Sequence, residues 1–267
     1  MESRINKLHL LFILLIIFSI NLFTLASNIS GLFHLNDYNY LLVKYILVIL
    51  FYLLVVYILW FENDSLEIFH FDRLTLWLVA LSGSIFHKKL GIPNEFFFQI
   101  ILGILSIAIF IALFKYRSKI PRTKAKWAIF GLVVGILISL IIIRIEFLIQ
   151  QLVDIEVFSP QNYRILEIAS KMAYQLSYIA PLEEVLYRGI LWGHLSLLGW
   201  KENRIFWVQA ILFWLGHLSY IGFPFTFFII IPIVTLQFSL LVYKSKQLAP
   251  SILSHAITNS LTSLLKA

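Results

Sequence analysis

The sequence contains no cysteine. That excludes disulfides, thiol nucleophiles and thiolate-held metals together, and in a membrane protein it leaves the compartment open. Charge is also scarce: 13% of 267 residues, against roughly 25% in soluble domains. No internal repeat, low-complexity tract or long polar stretch is present, so no soluble domain is expected. What is abundant is apolar surface, 60% of residues with a mean hydropathy of +0.90. It lies in runs of ~17–22 residues, about the length a helix needs to cross a bilayer. Lipid tolerates only helices or closed barrels, because backbone groups find no water there. The runs lack period-two alternation, so the expected fold is all-α: a polytopic transmembrane helical bundle of about eight or nine spans.

The expected spans are Leu8–Ala26, Leu41–Trp60, Leu74–Phe86, Phe96–Phe114 and Trp127–Ile143, then Ile165–Leu198, Ile205–Tyr220, Phe223–Tyr243 and Leu248–Leu265. The first follows Arg4 and Lys7 but exceeds a signal-peptide core and lacks a good cleavage site, so it reads as a retained span. The third is short enough to be re-entrant. The sixth is too long for one straight crossing and is expected to bend near Pro181 or Gly189.

The net charge of +7 suits basic loops against anionic headgroups and calls for no nucleic-acid partner. Lys115, Arg117, Lys119, Arg122, Lys124 and Lys126 fall in one loop with no acid among them, which places that loop and the N-terminus in the cytoplasm. Glu62–Arg73 and His87–Glu95 fit this topology poorly, the first acidic inside and the second basic outside. Residues 1–125 read as generic spans and 126–267 as the functional domain, since the informative polar residues fall after position 160.

The stretch IAPLEEVLYRGILWG, from Ile179 to Gly193, carries two glutamates and an arginine inside an apolar run. A charge at the centre of a membrane helix costs ~2.5–3.5 kcal/mol on insertion scales, so three in six residues need a reason. Glu184 and Arg188 are four apart, in the favourable order for a helical ion pair. Glu183 is turned by about 100° and has no cation at helical spacing, which leaves it free to face a wet cavity. Two further points join it: His217 in FWLGH, and His255 with Asn259 on one face in HAITN. Together they look like an assembled hydrolytic site. His9, His34, His70 and His87 need only interfacial placement, and His194 stays outside the site. Gly189 and Gly193, four apart, are expected to admit a neighbouring helix.

EEVLYR, FWLGH and HAITN resemble, in order, the EExxxR, FxxxH and HxxxN motifs of the CPBP (Abi) family. These are type II CAAX prenyl proteases and bacteriocin-processing proteins, and the resemblance covers about Lys126 to Ala267. It implies an intramembrane endopeptidase in which Glu183 with His217 activates water. His255 and Asn259 would form the oxyanion hole, and Glu184 and Arg188 would support the site. The implied partners are membrane lipid and a peptide or protein substrate, lipidated in some members. The implied location is a bacterial cell membrane. A non-catalytic peptide binder of the bacteriocin-immunity type would keep the same motifs, while a proton-relaying transporter would need repeated halves that are absent.

No cofactor is favoured. Glu183, His217 and His255 form a possible zinc set, one carboxylate and two imidazoles. Asn259, however, is a poor zinc ligand and a good oxyanion donor, so water activation by glutamate and histidine uses all four groups. Straight helices place Glu183 ~27 Å, His217 ~20 Å and His255 ~14 Å from the cytoplasmic ends, a conflict unless the segment after Gly189 runs along the interface.

Overall fold

The computed structural model describes residues 7–19, 37–85, 95–153 and 165–263, and among these the fold is a bundle of helices without strands. The helices are α1 (Lys7–Ser19), α2 (Asp37–Phe61), α3 (Arg73–Ile85), α4 (Glu95–Lys115) and α5 (Ala125–Val153). A continuous helical path then runs over α6 (Ile165–Tyr174), α7 (Ala180–Glu184) and α8 (Trp192–Leu197), followed by α9 (Glu202–Leu215), α10 (Ile231–Ser245) and α11 (Ala249–Thr262). Three helical stretches are long and apolar enough to cross a membrane: Phe96–Lys115, Ala125–Leu148 and Thr226–Ser245. The far ends of the first and last expected spans, with His34 and His87, lie outside the described residues. Helix α5 runs ten residues past its expected end, since Arg144 and Glu146 end the apolar run without breaking the helix.

Two prolines shape the helices that build the site. A proline inside a helix lacks an N–H and crowds the carbonyl four residues back. Before Pro181 and before Pro232 the chain widens into a π-helical turn, over Gln175–Ile179 and Thr226–Ile230, and each turn contains the crowded carbonyl. A further π-helical stretch, Val185–Leu191, spans Gly189. Regular α-helix is therefore interrupted at both places where a bend was expected.

Helix contacts are made at glycines. On α5, a Cβ at Gly131 would stand 2.2 Å from the carbonyl oxygen of Pro250, and one at Gly135 2.2 Å from the Ile257 side chain. This four-residue spacing lets α5 lie directly against α11. Gly189 and Gly193 act differently from expectation. A Cβ on Gly193 would strike the Phe69 ring at 2.2 Å, and one on Gly189 would meet Leu248 at 3.0 Å and the Phe69 carbonyl at 3.3 Å. These glycines admit a loop, not a helix.

The polar loops converge at one end of the bundle. Lys119 pairs with Asp64 at 2.7 Å, and Arg73 Nη2 donates to the Arg117 carbonyl. Gln247 accepts from the Lys124 amide and donates to the Arg122 carbonyl. The acidic loop after α2 thus neutralises part of the basic loop, which explains why Glu62–Arg73 reads poorly by charge alone. Buried Asp72 fastens this end. Its Oδ1 accepts from the amides of Leu74 and Thr75, capping α3, while its Oδ2 accepts from the amide of Ala249 at the start of α11. His70, assigned to an interface by sequence, is buried instead. It adopts a left-handed φ of 57° and stands edge-on to Trp192 at 5.3 Å.

Candidate active site

The adjacent glutamates project differently, and their surroundings differ completely. Glu184 is 0% exposed, as is Arg188, and Arg188 Nη1 donates to Glu184 Oε1 at 2.8 Å. The same Oε1 accepts from His255 Nδ1 at 2.9 Å, and Oε2 accepts from the Ser251 hydroxyl. Both carboxylate oxygens are therefore committed. Arg188 also donates to the Thr235 carbonyl at 3.3 Å and lies over the Phe213 ring, 4.2 Å from its centroid. Charges taken out of lipid or water are tolerated only when so fully paired.

Glu183 has none of this support. Its side chain is 28% exposed, and Oε2 is buried with no hydrogen-bond partner, 3.8 Å from His255 Nε2. His255 is thus held between two carboxylates, bonded to one and facing the other. Its ring stacks on Phe238 with centroids 4.6 Å apart and a 17° tilt, which fixes the ring plane. Because an ionised carboxylate only accepts, Nδ1 carries the proton on the Glu184 side.

His217 follows the end of α9, where its Nδ1 donates to the Phe213 carbonyl at 2.8 Å. A carbonyl cannot donate, so in the neutral ring the lone pair is on Nε2. The first residue of FWLGH also has a physical role. Buried Phe213 contacts Arg188, the His217 ring at 4.6 Å and the His255 ring at 6.1 Å, and so joins all three motifs. Asn259, one turn beyond His255 on α11, donates one amide hydrogen to Gln175 Oε1 at 3.1 Å, which leaves the other available.

For Glu183 and His255 the apparent depth conflict has a geometric resolution. Gly189 is level with Leu248, as the contact between them requires. From that level Glu183 is six residues along its helix and His255 seven along α11, about 9 and about 10.5 Å at 1.5 Å per residue. The stretch from residue 190 to 197 lies against the Phe69 loop beyond that level, so its length does not add to the depth of Glu183 relative to His255.

Sequence reasoning missed Ser251, Gln175 and Phe238. Ser251 was findable, since it lies four residues before His255 on the same helical face. Gln175 and Phe238 reach the site from other helices and give no local signal. For a metal, the rings of His217 and His255 both present Nε2, which suits zinc chemistry. The ligand atoms of Glu183, His217 and His255 nevertheless do not form a set lying within 4.8 Å of one another among the described residues.

Comparison with known proteins agrees with the motifs. Residues 167–261, which contain all six motif positions, match the family model described as type II CAAX prenyl endopeptidase, Rce1-like. No curated protein and no solved structure matches the chain.

Proposed function

We propose that this chain, whose residues 167–261 match the Rce1-like type II CAAX prenyl endopeptidase model, is an intramembrane endopeptidase. Its substrate is a peptide bond of a membrane-associated or lipidated peptide or protein. The observation that carries the reading is the division of labour between adjacent glutamates: Glu184 is fully bonded, while the Glu183 Oε2 is buried without a partner beside His255. An unsatisfied buried acceptor costs about 1–3 kcal/mol, a cost that a bound water would relieve.

In the proposed step, water lies between Glu183 and the Nε2 lone pair of His217. Glu183 takes a proton from it as the water oxygen bonds to the substrate carbonyl carbon. The developing oxyanion accepts hydrogen bonds from His255 Nε2 and from the free amide hydrogen of Asn259. In this step His255 carries a hydrogen on both nitrogens, Nδ1 donating to Glu184 and Nε2 to the oxyanion. Collapse breaks the C–N bond, and the proton held by Glu183 passes to the leaving amine. Glu184 and Arg188 orient His255, and the step uses no metal. A preorganised oxyanion donor is worth ~10²–10³-fold, and a positioned base ~10²–10⁴-fold.

The test is cleavage by purified, lipid-reconstituted protein of prenylated and unprenylated peptides, read by product mass. Glu183→Gln is expected to lower cleavage by ~10²–10⁴-fold while thermal unfolding is unchanged. Wild-type rates in this variant would remove the general-base assignment. Binding of the same peptides without cleavage by the wild type would replace the enzyme with a peptide-binding protein.

A further inference from the structure

A second group of ligating side chains lies away from Glu183. His9 on α1, Glu62 just after α2 and His194 on α8 each present one ligand atom, all within 4.8 Å of one another. His9 Nδ1 and Glu62 Oε1 are 3.7 Å apart, too far for a hydrogen bond. Tetrahedral ligands at zinc bond lengths stand ~3.3–3.5 Å from each other, close to this spacing. His9 Nδ1 and Glu62 Oε2 are both buried without a hydrogen-bond partner. His194 is almost wholly buried, and its Nδ1 donates to the Ile190 carbonyl at 2.8 Å. That bond leaves the lone pair on Nε2 and orients the ring, the arrangement usual for a metal-bound histidine.

The surroundings suit a cation that needs a water ligand. Tyr57 packs against His9 at 5.1 Å and Phe69 against His194 at 5.2 Å, so aromatic rings wall the group. His9 and Glu62 keep 25% and 18% of their side-chain surface exposed, which provides an entry path. Magnesium and calcium take oxygen ligands, whereas two imidazoles and one carboxylate match zinc.

We propose that His9, Glu62 and His194 form a zinc-type divalent-metal site, separate from the Glu183–His255 centre, that fastens α1 to the end of α2 and to α8. Sequence reading had no access to it: the three residues are far apart in the chain, and His9 and His194 each had an unremarkable explanation.

The test is metal binding by the full chain, purified, stripped with chelator and titrated with zinc or cobalt. The expected result is about one equivalent of zinc per chain, a cobalt absorption spectrum of four-coordinate intensity, and a rise in unfolding temperature on zinc addition. His194→Ala and His9→Ala should abolish binding, and Glu62→Gln, which preserves side-chain size, should weaken it at least tenfold. Glu183→Gln and His217→Ala should bind as the wild type does. No binding at micromolar zinc, with a plain hydrogen bond between His9 and Glu62, would overturn the proposal. So would binding lost in Glu183→Gln and retained in His194→Ala. That outcome would also remove the metal-free catalytic step, whereas loss of the His9 site alone would leave it intact.

Discussion

Helices α4 and α5 and the segment from residue 184 to 195 are opposite solutions to one problem. On α4, Ile100, Ile104, Ile107 and Ile111 all face outward, as do Ile129, Val133, Leu137 and Leu140 on α5. From 184 to 195 every residue is buried, all but the two glycines carry a side chain of valine size or larger, and two of them, Glu184 and Arg188, are ions. In water this distribution would be inside out. In hydrocarbon it is consistent: apolar side chains gain little by leaving lipid, so the bundle closes through backbone proximity and bonded polar groups. Gly131 and Gly135 provide the first, and Asp72 and Glu184 the second.

That contrast is open to attack at its polar end first. Arg188→Ala would leave Glu184 as an unpaired buried charge and remove the cation between Phe213 and Phe238. Breaking such a pair typically costs about 3–5 kcal/mol, so unfolding in detergent should shift by that amount, with cleavage lost as well. Unchanged stability would mean that water reaches the pair. Asp72→Ala comes next. It removes the cap from two helix N-termini at about 1 kcal/mol each, so roughly 2 kcal/mol of stability should disappear. The variant should also weaken catalysis, because α11 carries His255 and Asn259. The smallest effect belongs to the apolar face: Ile107→Val should change stability by less than about 0.5 kcal/mol. A cost as large as that of Asp72→Ala would show that this face is packed against a partner and would dissolve the contrast.

The parts legible in sequence share one property, that their partners are close along the chain. The Glu184–Arg188 pair was readable because both residues sit on one helical face, and it is observed at 2.8 Å. His255 and Asn259 were readable for the same reason. Most helices also follow the apolar runs, since lipid imposes length on them. What escaped depends on distant segments. Nothing near His255 announces that Glu184, 71 positions earlier, will accept a hydrogen bond from its Nδ1. The prolines at 181 and 232 were visible, but the π-helical turns before them depend on how each helix accommodates the crowded carbonyl, which the local sequence does not specify. Gly189 and Gly193 were read correctly as sites of close approach and assigned the wrong neighbour, because glycine signals proximity without saying what approaches.

The bond from the Ala249 amide to Asp72 spans 177 positions. Synthesis therefore lays down the anchor long before the segment that docks on it. A chain extended only to residue 245 already contains Glu183, Glu184 and His217 but lacks Ser251, His255 and Asn259. In such an intermediate the Glu184 carboxylate has Arg188 but neither of its two donors from α11. The order of the motifs along the chain acts as a clock, and the polar cluster is complete only when α11 reaches a carboxylate that was made before the third helix.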